Sequence, residues 1–270
     1  MKIELQPNKK IYFASDQHFG APTPELSKPR EAKFLAWLDE IKHDAQILFL
    51  MGDLFDFWHE WKYVVPKGYV RILGKLAELK DSGIDIYFFV GNHDLWMKDY
   101  LEEEIGIPVF FEKQYYEISG KNFLLAHGDG LGPGDKGYKR MKKLFTNPIA
   151  QWFFKWLHPD IAMKIAVYFS TKNKMISGVE DMKFLGEDKE FLILYSKEKL
   201  KSEKIDYFVY GHRHLPMILD LKIDENAAKY VNLGDWISYF TYGAFDGEEF
   251  KILKHGETEN AQRAQRAQND

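Results

Sequence analysis

The sequence predicts an α/β layered fold, and three observations support this class. The 270-residue chain contains short apolar runs rich in β-branched and aromatic residues, which are typical of buried strands. Segments with helical spacing, over 30–43 and 66–82, separate the first three runs, and this alternation indicates βαβ units. After Leu215, strand patterns follow one another closely without helices, so we expect a second, more antiparallel sheet there.

Eight runs account for the predicted strands. Each is four to six residues long, which is too short for a helix of ordinary length. In chain order they are IYFAS (11–15), ILFLM (47–51), IYFFV (86–90), NFLLA (122–126), YFVY (207–210), PMILDL (216–221), KYVNL (229–233) and FKIL (250–253).

The segment 135–204 does not follow this alternation of strands and helices, because it has little strand signal and three or four helix candidates. We therefore expect a core formed by 1–134 and 205–256, a helical cap inserted as 135–204, and a polar flexible tail over 257–270. The cap stretch 148–158 holds two Trp and two Phe. It is either an amphipathic helix that packs on the core or a cover for an apolar ligand or a bilayer surface.

Composition excludes several classes of protein and site. The chain has no Cys, so disulfides, thiolate metal sites and cysteine nucleophiles are ruled out. Its net charge of −4, without an extended basic stripe, gives no reason to expect nucleic acid as a partner. We expect no signal peptide, because MKIELQPNKK leads directly into the first strand, and no apolar run is long enough to span a membrane.

Short polar side chains follow five of the predicted strands, at the point where each strand ends. The carboxyl ends of strands are where open α/β sheets place their ligand sites. The five motifs are Asp16-Gln17-His18, Gly52-Asp53-Leu54-Phe55-Asp56, Gly91-Asn92-His93-Asp94, His127-Gly128-Asp129 and Gly211-His212-Arg213-His214.

These motifs hold five of the nine histidines, together with carboxylates and an amide. Oxygen and imidazole donors without sulfur suit Mn, Fe, Zn or Mg. Seven candidate ligands are too many for one tetrahedral ion but suit two ions that share a carboxylate, an arrangement used for displacement at phosphorus. For the histidines outside the motifs we expect surface or structural roles; these are His43, His59, His158 and His255.

This ordered motif set, from Asp16 to His214, resembles that of the calcineurin-like metallophosphoesterases. The resemblance implies a two-sheet β-sandwich flanked by helices, with a dinuclear metal site in which Asp53 bridges the ions. The implied ligand sets are Asp16, His18, Asp53 and His214 for one ion and Asp53, Asn92, His127 and His212 for the other.

The same resemblance implies roles for neighbouring residues. His93 is expected to face the substrate phosphate as a catalytic residue, with Asp94 orienting it. Asp56 and Asp129 are expected beside the ligands, because metal-bound histidines donate their second ring nitrogen to an acceptor.

Within the family, the closer resemblance is to the UDP-2,3-diacylglucosamine hydrolases of lipid A synthesis. Those enzymes insert a helical cap between the positions of His127 and Gly211, and the stretches HGDGLGPGDKGYKRMKKLFTNP and KIAVYFSTKNK resemble theirs. The substrate-binding residues implied are Asn92, His93, Asp135, Tyr138 and Asn173.

The implied reaction is attack of hydroxide on the α-phosphorus, which gives UMP and 2,3-diacylglucosamine 1-phosphate. The reaction would use two divalent ions, and we expect Mn²⁺ in preference to Mg²⁺, Fe²⁺ or Zn²⁺. Two alternatives stay open: a phosphoesterase for another nucleotide-diphosphate or lipid-phosphate substrate, and a non-catalytic scaffold with the same fold.

The expected partners are the glycolipid nucleotide and the anionic inner-membrane surface, which the protein would contact peripherally from the cytoplasm. Two acyl chains need an apolar chamber, for which the candidates are Phe145, Trp152, Phe153, Trp156, Tyr168 and Phe169. A diphosphate or an anionic leaflet needs cations, which one predicted helix supplies as Lys136, Lys139, Arg140, Lys142 and Lys143.

Overall fold

The computed structural model describes residues 1–133, 136–177 and 183–257, with the backbone alone for 136–137 and 171–177. Twelve strands lie within these ranges. They are β1 (Lys2–Ile3), β2 (Lys10–Ala14), β3 (Ala45–Leu50), β4 (Asp85–Phe89), β5 (Val109–Phe110), β6 (Gln114–Ile118), β7 (Lys121–Leu125), β8 (Tyr207–Tyr210), β9 (Met217–Ile223), β10 (Asn226–Asn232), β11 (Thr241–Phe245) and β12 (Phe250–Lys254).

Helices connect the strands and form the segment between β7 and β8. In the described residues they are α1 (Pro24–Ile41), α2 (Val70–Asp81), α3 (Tyr100–Ile105), α4 (Lys136–Phe145), α5 (Pro148–Lys155), α6 (Pro159–Ser177) and α7 (Phe191–Leu200).

The strands form two mixed, six-stranded sheets. One has the order β12-β11-β2-β3-β4-β5, in which β2 to β5 are parallel. The other has the order β1-β6-β7-β8-β10-β9, in which β7, β8 and β10 are parallel. This arrangement confirms the predicted α/β class with two sheets flanked by helices, and it gives each sheet a parallel group of strands whose carboxyl ends carry the motifs.

The period of two along each strand explains how the sheets stack. In β2, Phe13 packs between the sheets, where its ring lies 6.5 Å from Phe123 of the opposite sheet, while Tyr12 faces α1 and lies 6.2 Å from Trp37. Both faces of these strands are therefore buried, which is why their sequences read as continuous apolar runs.

One expectation about the sheets is wrong. The strands after Leu215 do not form a sheet of their own, because β9 and β10 extend the sheet of β8 whereas β11 and β12 extend the sheet of β2. β11 returns to β2 through backbone pairing of Gly243 with Phe13, a long-range contact that leaves no local mark in the sequence.

Four strands, helix α3 and the start of α1 were not predicted from the sequence. Strands β1 and β5 have two residues each, and β6 and β11 include Gln114, Glu117, Thr241 and Gly243 among their apolar residues. Helix α1 begins six residues before the predicted 30–43 segment, since Thr23 caps it by accepting the N–H of Leu26 and Pro24 occupies its first turn.

The segment between β7 and β8 is helical, as predicted, but its last helix packs on the core. Leu192 and Ile193 of α7 are buried against Phe208 and Tyr230 of the sheet. The division into a core and a 135–204 cap stays a prediction, and of the 257–270 tail only Glu257 lies within the described residues.

The core between the sheets yields a stability prediction. Phe123 is fully buried and lies 4.7 Å from the ring of Tyr207 and 5.1 Å from that of Phe245. Phe123→Ala should lower the free energy of unfolding, measured by denaturant titration, by about 3–5 kcal/mol. The matched substitution Phe153→Ala removes a ring that is 64% exposed and should change it by less than about 0.5 kcal/mol. Equal losses would contradict this assignment of the core.

Candidate active site

Six loops build the site, each following a strand directly. Three follow β2, β3 and β4 in one sheet, and three follow β7, β8 and β10 in the other. An unbroken series of short contacts links all seven predicted metal ligands, namely Asp16, His18, Asp53, Asn92, His127, His212 and His214.

One group of ligands surrounds Asp16. Its Oδ1 lies 3.3 Å from His214 Nε2 and 3.8 Å from His18 Nε2. The same His18 nitrogen lies 3.5 Å from Asp53 Oδ2. These four side chains correspond to the first expected ligand set.

A second group lies on the other side of Asp53. His127 Nε2 is 3.5 Å from Asp53 Oδ2 and 3.2 Å from Asn92 Oδ1, which is itself 2.8 Å from His212 Nδ1. One oxygen of Asp53 is thus shared between His18 and His127, as a bridging ligand requires.

The ligand loops bend sharply as they leave the strands. Asp16, His18, Asp53, His212 and His214 all have positive φ, between 46° and 67°. This left-handed conformation is uncommon in residues other than glycine, and it is found where a site holds side chains in a fixed direction. The strain occurs in three separate loops that meet at one point, which marks that point as functional.

The buried polar groups of this centre lack partners that a divalent ion would supply. Within the described residues, Asp16 Oδ1 and both ring nitrogens of His18 make no hydrogen bond, although the side chains are at most 1% exposed. Carboxylates and imidazoles gather here in sets whose donor atoms lie within 4.8 Å of one another. A donor set of oxygen and nitrogen without sulfur fits the divalent ions predicted from the sequence.

The carboxylates and imidazoles of the centre shift one another's pKa values. Burial opposes ionisation of Asp53, but His127 and His93 outweigh it and hold the pKa of this carboxyl well below its usual range. Burial likewise opposes protonation of His127, yet Asp53 and Asp16 raise its pKa to about 10. Protons on imidazole thus compete with cations for the same carboxylates, so metal binding must release protons.

Hydrogen bonds made away from the centre fix the orientation of the rings. His127 Nδ1 lies 2.8 Å from the carbonyl oxygen of Met51, and His214 Nδ1 lies 3.2 Å from Asp235 Oδ2. These acceptors leave Nε2 of each ring directed at the carboxylates. Asp235 follows β10 and is missing from the predicted site, because its motif, LGDW, has no histidine beside it.

His93 stands beside the ligands and is held by Asp56. Its Nδ1 lies 3.0 Å from the carbonyl oxygen and 3.4 Å from a carboxylate oxygen of Asp56. The other carboxylate oxygen accepts a 2.6 Å hydrogen bond from Ser170 of α6. Asp56 also lies 3.3 Å from His18 Nδ1, so its expected place beside the ligands agrees with the geometry.

Asp94 holds two of the site loops together, and its expected role in orienting His93 stays a prediction. Its carboxylate accepts hydrogen bonds from the backbone N–H groups of Gly91, at 2.7 Å, and Leu54, at 3.0 Å. It therefore joins the two loops that carry Asp53 and Asn92, and its side chain is fully buried. The described contacts of the His93 ring include those with His18, Asp56 and Ser170.

Asp129 connects the centre with helix α4. Its Oδ2 accepts hydrogen bonds from Tyr138 and, at 2.6 Å, from Lys142. Tyr138, predicted to bind substrate, thus lies at the site with its ring 6.3 Å from that of His212. Asp135 lies outside the described residues; Asn173 is on α6, but its side chain lies outside them too.

Comparison with known proteins agrees with this geometry. Residues 9–216 match the family model described as calcineurin-like phosphoesterase. The chain belongs to the calcineurin-like phosphoesterase family. Its predicted class, a metal-dependent hydrolase of phosphoric esters, is thereby confirmed.

Two curated relatives are similar over most of this phosphoesterase. A UDP-2,3-diacylglucosamine hydrolase of Porphyromonas gingivalis is 40% identical over 252 residues, covering 88% of this chain and 94% of its own. A UDP-2,3-diacylglucosamine hydrolase of Edwardsiella ictaluri is 26% identical, covering 90% of each chain. Among solved structures, a dimetal phosphatase from Danio rerio aligns with 93% of this chain and 100% of its own, at 12% identity and a TM-score of 0.41.

An apolar cavity of about 220 Å³ adjoins the metal ligands of the phosphoesterase. Its lining includes Asp56, Asn92 and His93, together with apolar side chains of α4, α5 and α6 and of the loops that follow β3 and β4. Ser170, which the sequence analysis missed although it lies in the quoted stretch KIAVYFSTKNK, also lines it and connects α6 with Asp56.

Of the six aromatic residues expected around a chamber, two line this cavity, Phe145 and Phe169. The other four are not among its lining residues, and their exposed fractions are 54% to 73%: Trp152, Phe153, Trp156 and Tyr168. These four side chains lie on the solvent-exposed faces of their helices, so the prediction that they line the chamber is wrong. In the described ranges, no helix has both the length and the apolar character needed to cross a membrane.

A close packing contact behind Asp53 yields a prediction. A Cβ at Gly91 would lie 2.2 Å from Asp53 Oδ1 and 2.6 Å from the backbone nitrogen of Asp53. Gly91→Ala should therefore displace the shared carboxylate and lower both metal affinity and kcat/KM for a small phosphodiester, by about 10- to 100-fold.

The control is Gly74→Ala in α2, where a Cβ would meet nothing within 4 Å. It should leave activity and metal content unchanged and stabilise the helix by about 0.5–1 kcal/mol. Full metal content and activity in the Gly91→Ala protein would contradict the placement of Asp53 as the shared ligand.

Proposed function

We propose that this phosphoesterase hydrolyses UDP-2,3-diacylglucosamine to UMP and 2,3-diacylglucosamine 1-phosphate. The observation that carries the proposal is the apolar cavity that opens directly onto His93 and Asn92 at the metal-ligand centre. A phosphoesterase for small polar esters has no need of such a surface, whereas a substrate with acyl chains must bury them. The names of the two curated relatives support the same substrate.

Two divalent ions would be held by the two sets that share Asp53, and when bound they supply activated water and positive charge for displacement at phosphorus. We propose Mn²⁺ as the metal, within the range that these ligands accept. His93 is the catalytic residue of the protein itself. With Nδ1 engaged by Asp56, Nε2 is the ring atom that can reach a phosphoryl oxygen and donate a hydrogen bond or proton to it.

Asp94 contributes by positioning. By bonding both the Gly91 and Leu54 amides, it keeps the Asp53 and Asn92 loops together at the centre. Tyr138 and Lys142 hold Asp129 and so place helix α4 over the site. We propose that Asn92, His93, Asp135, Tyr138 and Asn173 meet the substrate and that the 135–204 segment acts as the cap.

We further propose that the protein docks peripherally on the anionic cytoplasmic face of the inner membrane, where such a lipid substrate resides. Helix α5 exposes Ile149 by 65%, Trp152 by 54% and Phe153 by 64%, and Trp156 at its end by 73%. An apolar face of this kind, with Lys155 beside it, suits insertion at the boundary of headgroups and acyl chains.

The function is tested by measuring UMP release from UDP-2,3-diacylglucosamine by the Mn²⁺-loaded protein, with the deacylated UDP-sugar for comparison. We expect turnover that depends on the acyl chains. Asp53→Asn should abolish it and reduce bound metal from about two ions per chain, because the shared carboxylate is lost. Asp220→Asn, at an exposed aspartate, should have no effect. Hydrolysis of a generic phosphodiester without UMP release would refute the substrate while leaving the metal centre in place.

Docking is tested with vesicles that contain anionic phospholipid. Replacing Trp152 and Phe153 together by Ser should weaken sedimentation with vesicles by about tenfold or more, since two large apolar side chains no longer insert. Turnover of a soluble phosphodiester should stay unchanged. Tyr63→Ser serves as the control, because Tyr63 is 84% exposed and lies outside α5, in the loop between β3 and α2. If the double variant still sediments like the unsubstituted protein, α5 is not the docking surface.

A further inference from the structure

A second cavity adjoins the candidate metal centre, and His93 is not among its lining residues. It has a volume of about 590 Å³, and its lining includes the candidate ligand His127 and the neighbouring Asp129. Its wall combines helix α4 with the segment Phe111–Lys113 that joins β5 to β6. Asn92 of the first cavity and His127 of the second are neighbours, with 3.2 Å between Asn92 Oδ1 and His127 Nε2, and Lys142 lines both cavities.

The two cavities differ in charge. The second is lined by four lysines, Lys113, Lys139, Lys142 and Lys143, against two carboxylates, Glu112 and Asp129. Lys142 is paired with Asp129, and Lys139 donates to the carbonyl oxygen of Gly132. Among the described residues, neither Lys113 nor Lys143 has a carboxylate within ion-pair distance, although Lys113 lies near enough to Glu203 to contribute to the lowering of its pKa. In a chain of net charge −4, this local excess of positive charge is suited to an anion.

The cavity also presents an aromatic ring to solvent. Phe110 packs inward, with its ring 5.3 Å from that of Phe89, so the alternation of the chain turns Phe111 outward. Phe111 lines the cavity and is 53% exposed. An exposed ring beside lysines is the combination on which a nucleobase stacks while its phosphate is bound by cations.

We propose that this second cavity binds the uridine monophosphate half of the substrate, with Lys113 and Lys143 attracting its phosphate and Phe111 stacking on uracil. The proposal rests on the function proposed above and deepens it. The diphosphate then spans the metal ligands, with the acylated sugar in the apolar cavity and the nucleotide in the basic one. The arrangement explains why one apolar cavity and one basic cavity adjoin the same metal centre.

The test is calorimetric titration of the Mn²⁺-loaded protein with UMP, the expected product, and separately with inorganic phosphate. Replacing Lys113 and Lys143 together by Ala should raise the Kd for UMP by about tenfold or more and weaken its salt dependence. Lys222→Ala, at an exposed lysine of β9, is the control and should change nothing.

The contribution of the ring is tested separately from that of the charge. Phe111→Ala should raise the Kd for UMP by about tenfold, the equivalent of one base–aromatic contact, and leave phosphate binding unchanged. Phe111→Tyr keeps the ring face and should restore UMP binding. Phe154→Ala, in the apolar cavity, should leave UMP binding unchanged.

The outcomes distinguish this proposal from the preceding one. If the protein binds UMP through these residues but does not release UMP from the lipid, the nucleotide site stands and the proposed substrate fails. If it releases UMP while the lysine and Phe111 variants bind UMP within twofold of the unsubstituted protein, the nucleotide site fails and the substrate stands. Failure of the unsubstituted protein to bind UMP at millimolar concentration would also overturn the site.

Discussion

The burial of several carboxylates at one point is the constraint on which the rest of this structure depends. Asp16 and Asp53 are each at most 1% exposed, and such charges are stable in a protein interior only when opposite charges surround them. Imidazoles from three loops provide part of that balance, and the orphaned atoms of Asp16 and His18 indicate that divalent ions complete it. The same few atoms therefore constrain the fold, the charge balance of the site and its catalytic chemistry.

The sandwich is arranged to bring those atoms together. Each sheet contributes a parallel group of strands, and the groups present their carboxyl ends at a common edge. The strands are buried on both faces, between Phe123 and its neighbours on one side and the helices on the other, so they form a rigid base. The loops are strained, as the positive φ angles of the candidate ligands show, and the packed strands hold them in this conformation.

Under the proposed function, the helices between β7 and β8 select the substrate of the metal centre. Ser170 bonds Asp56, and Tyr138 bonds Asp129, so the helices are attached to the residues beside the metal ligands. Asp56, Ser170 and Tyr138 line the apolar cavity, and Asp129 lines the basic one. The proposed substrate, with an acylated end and a nucleotide end, matches this division, and in the docking proposal the exposed face of α5 is the part that contacts the membrane.

The sequence by itself predicted eight of the twelve described strands, the α/β class and seven candidate metal ligands, because buried apolar runs and the polar residues at their ends are patterns within short stretches of sequence. It placed His93 at the site but assigned its orientation to Asp94, the adjacent residue in the chain. Only the tertiary structure decided that Asp56 and Ser170 hold His93, that Asp235 supports His214, and that β11 and β12 join the sheet of β2. It also decided which aromatic side chains face the cavity and which face solvent. These features depend on contacts between residues far apart in the chain, and the direction of a side chain across such a contact has no local signature.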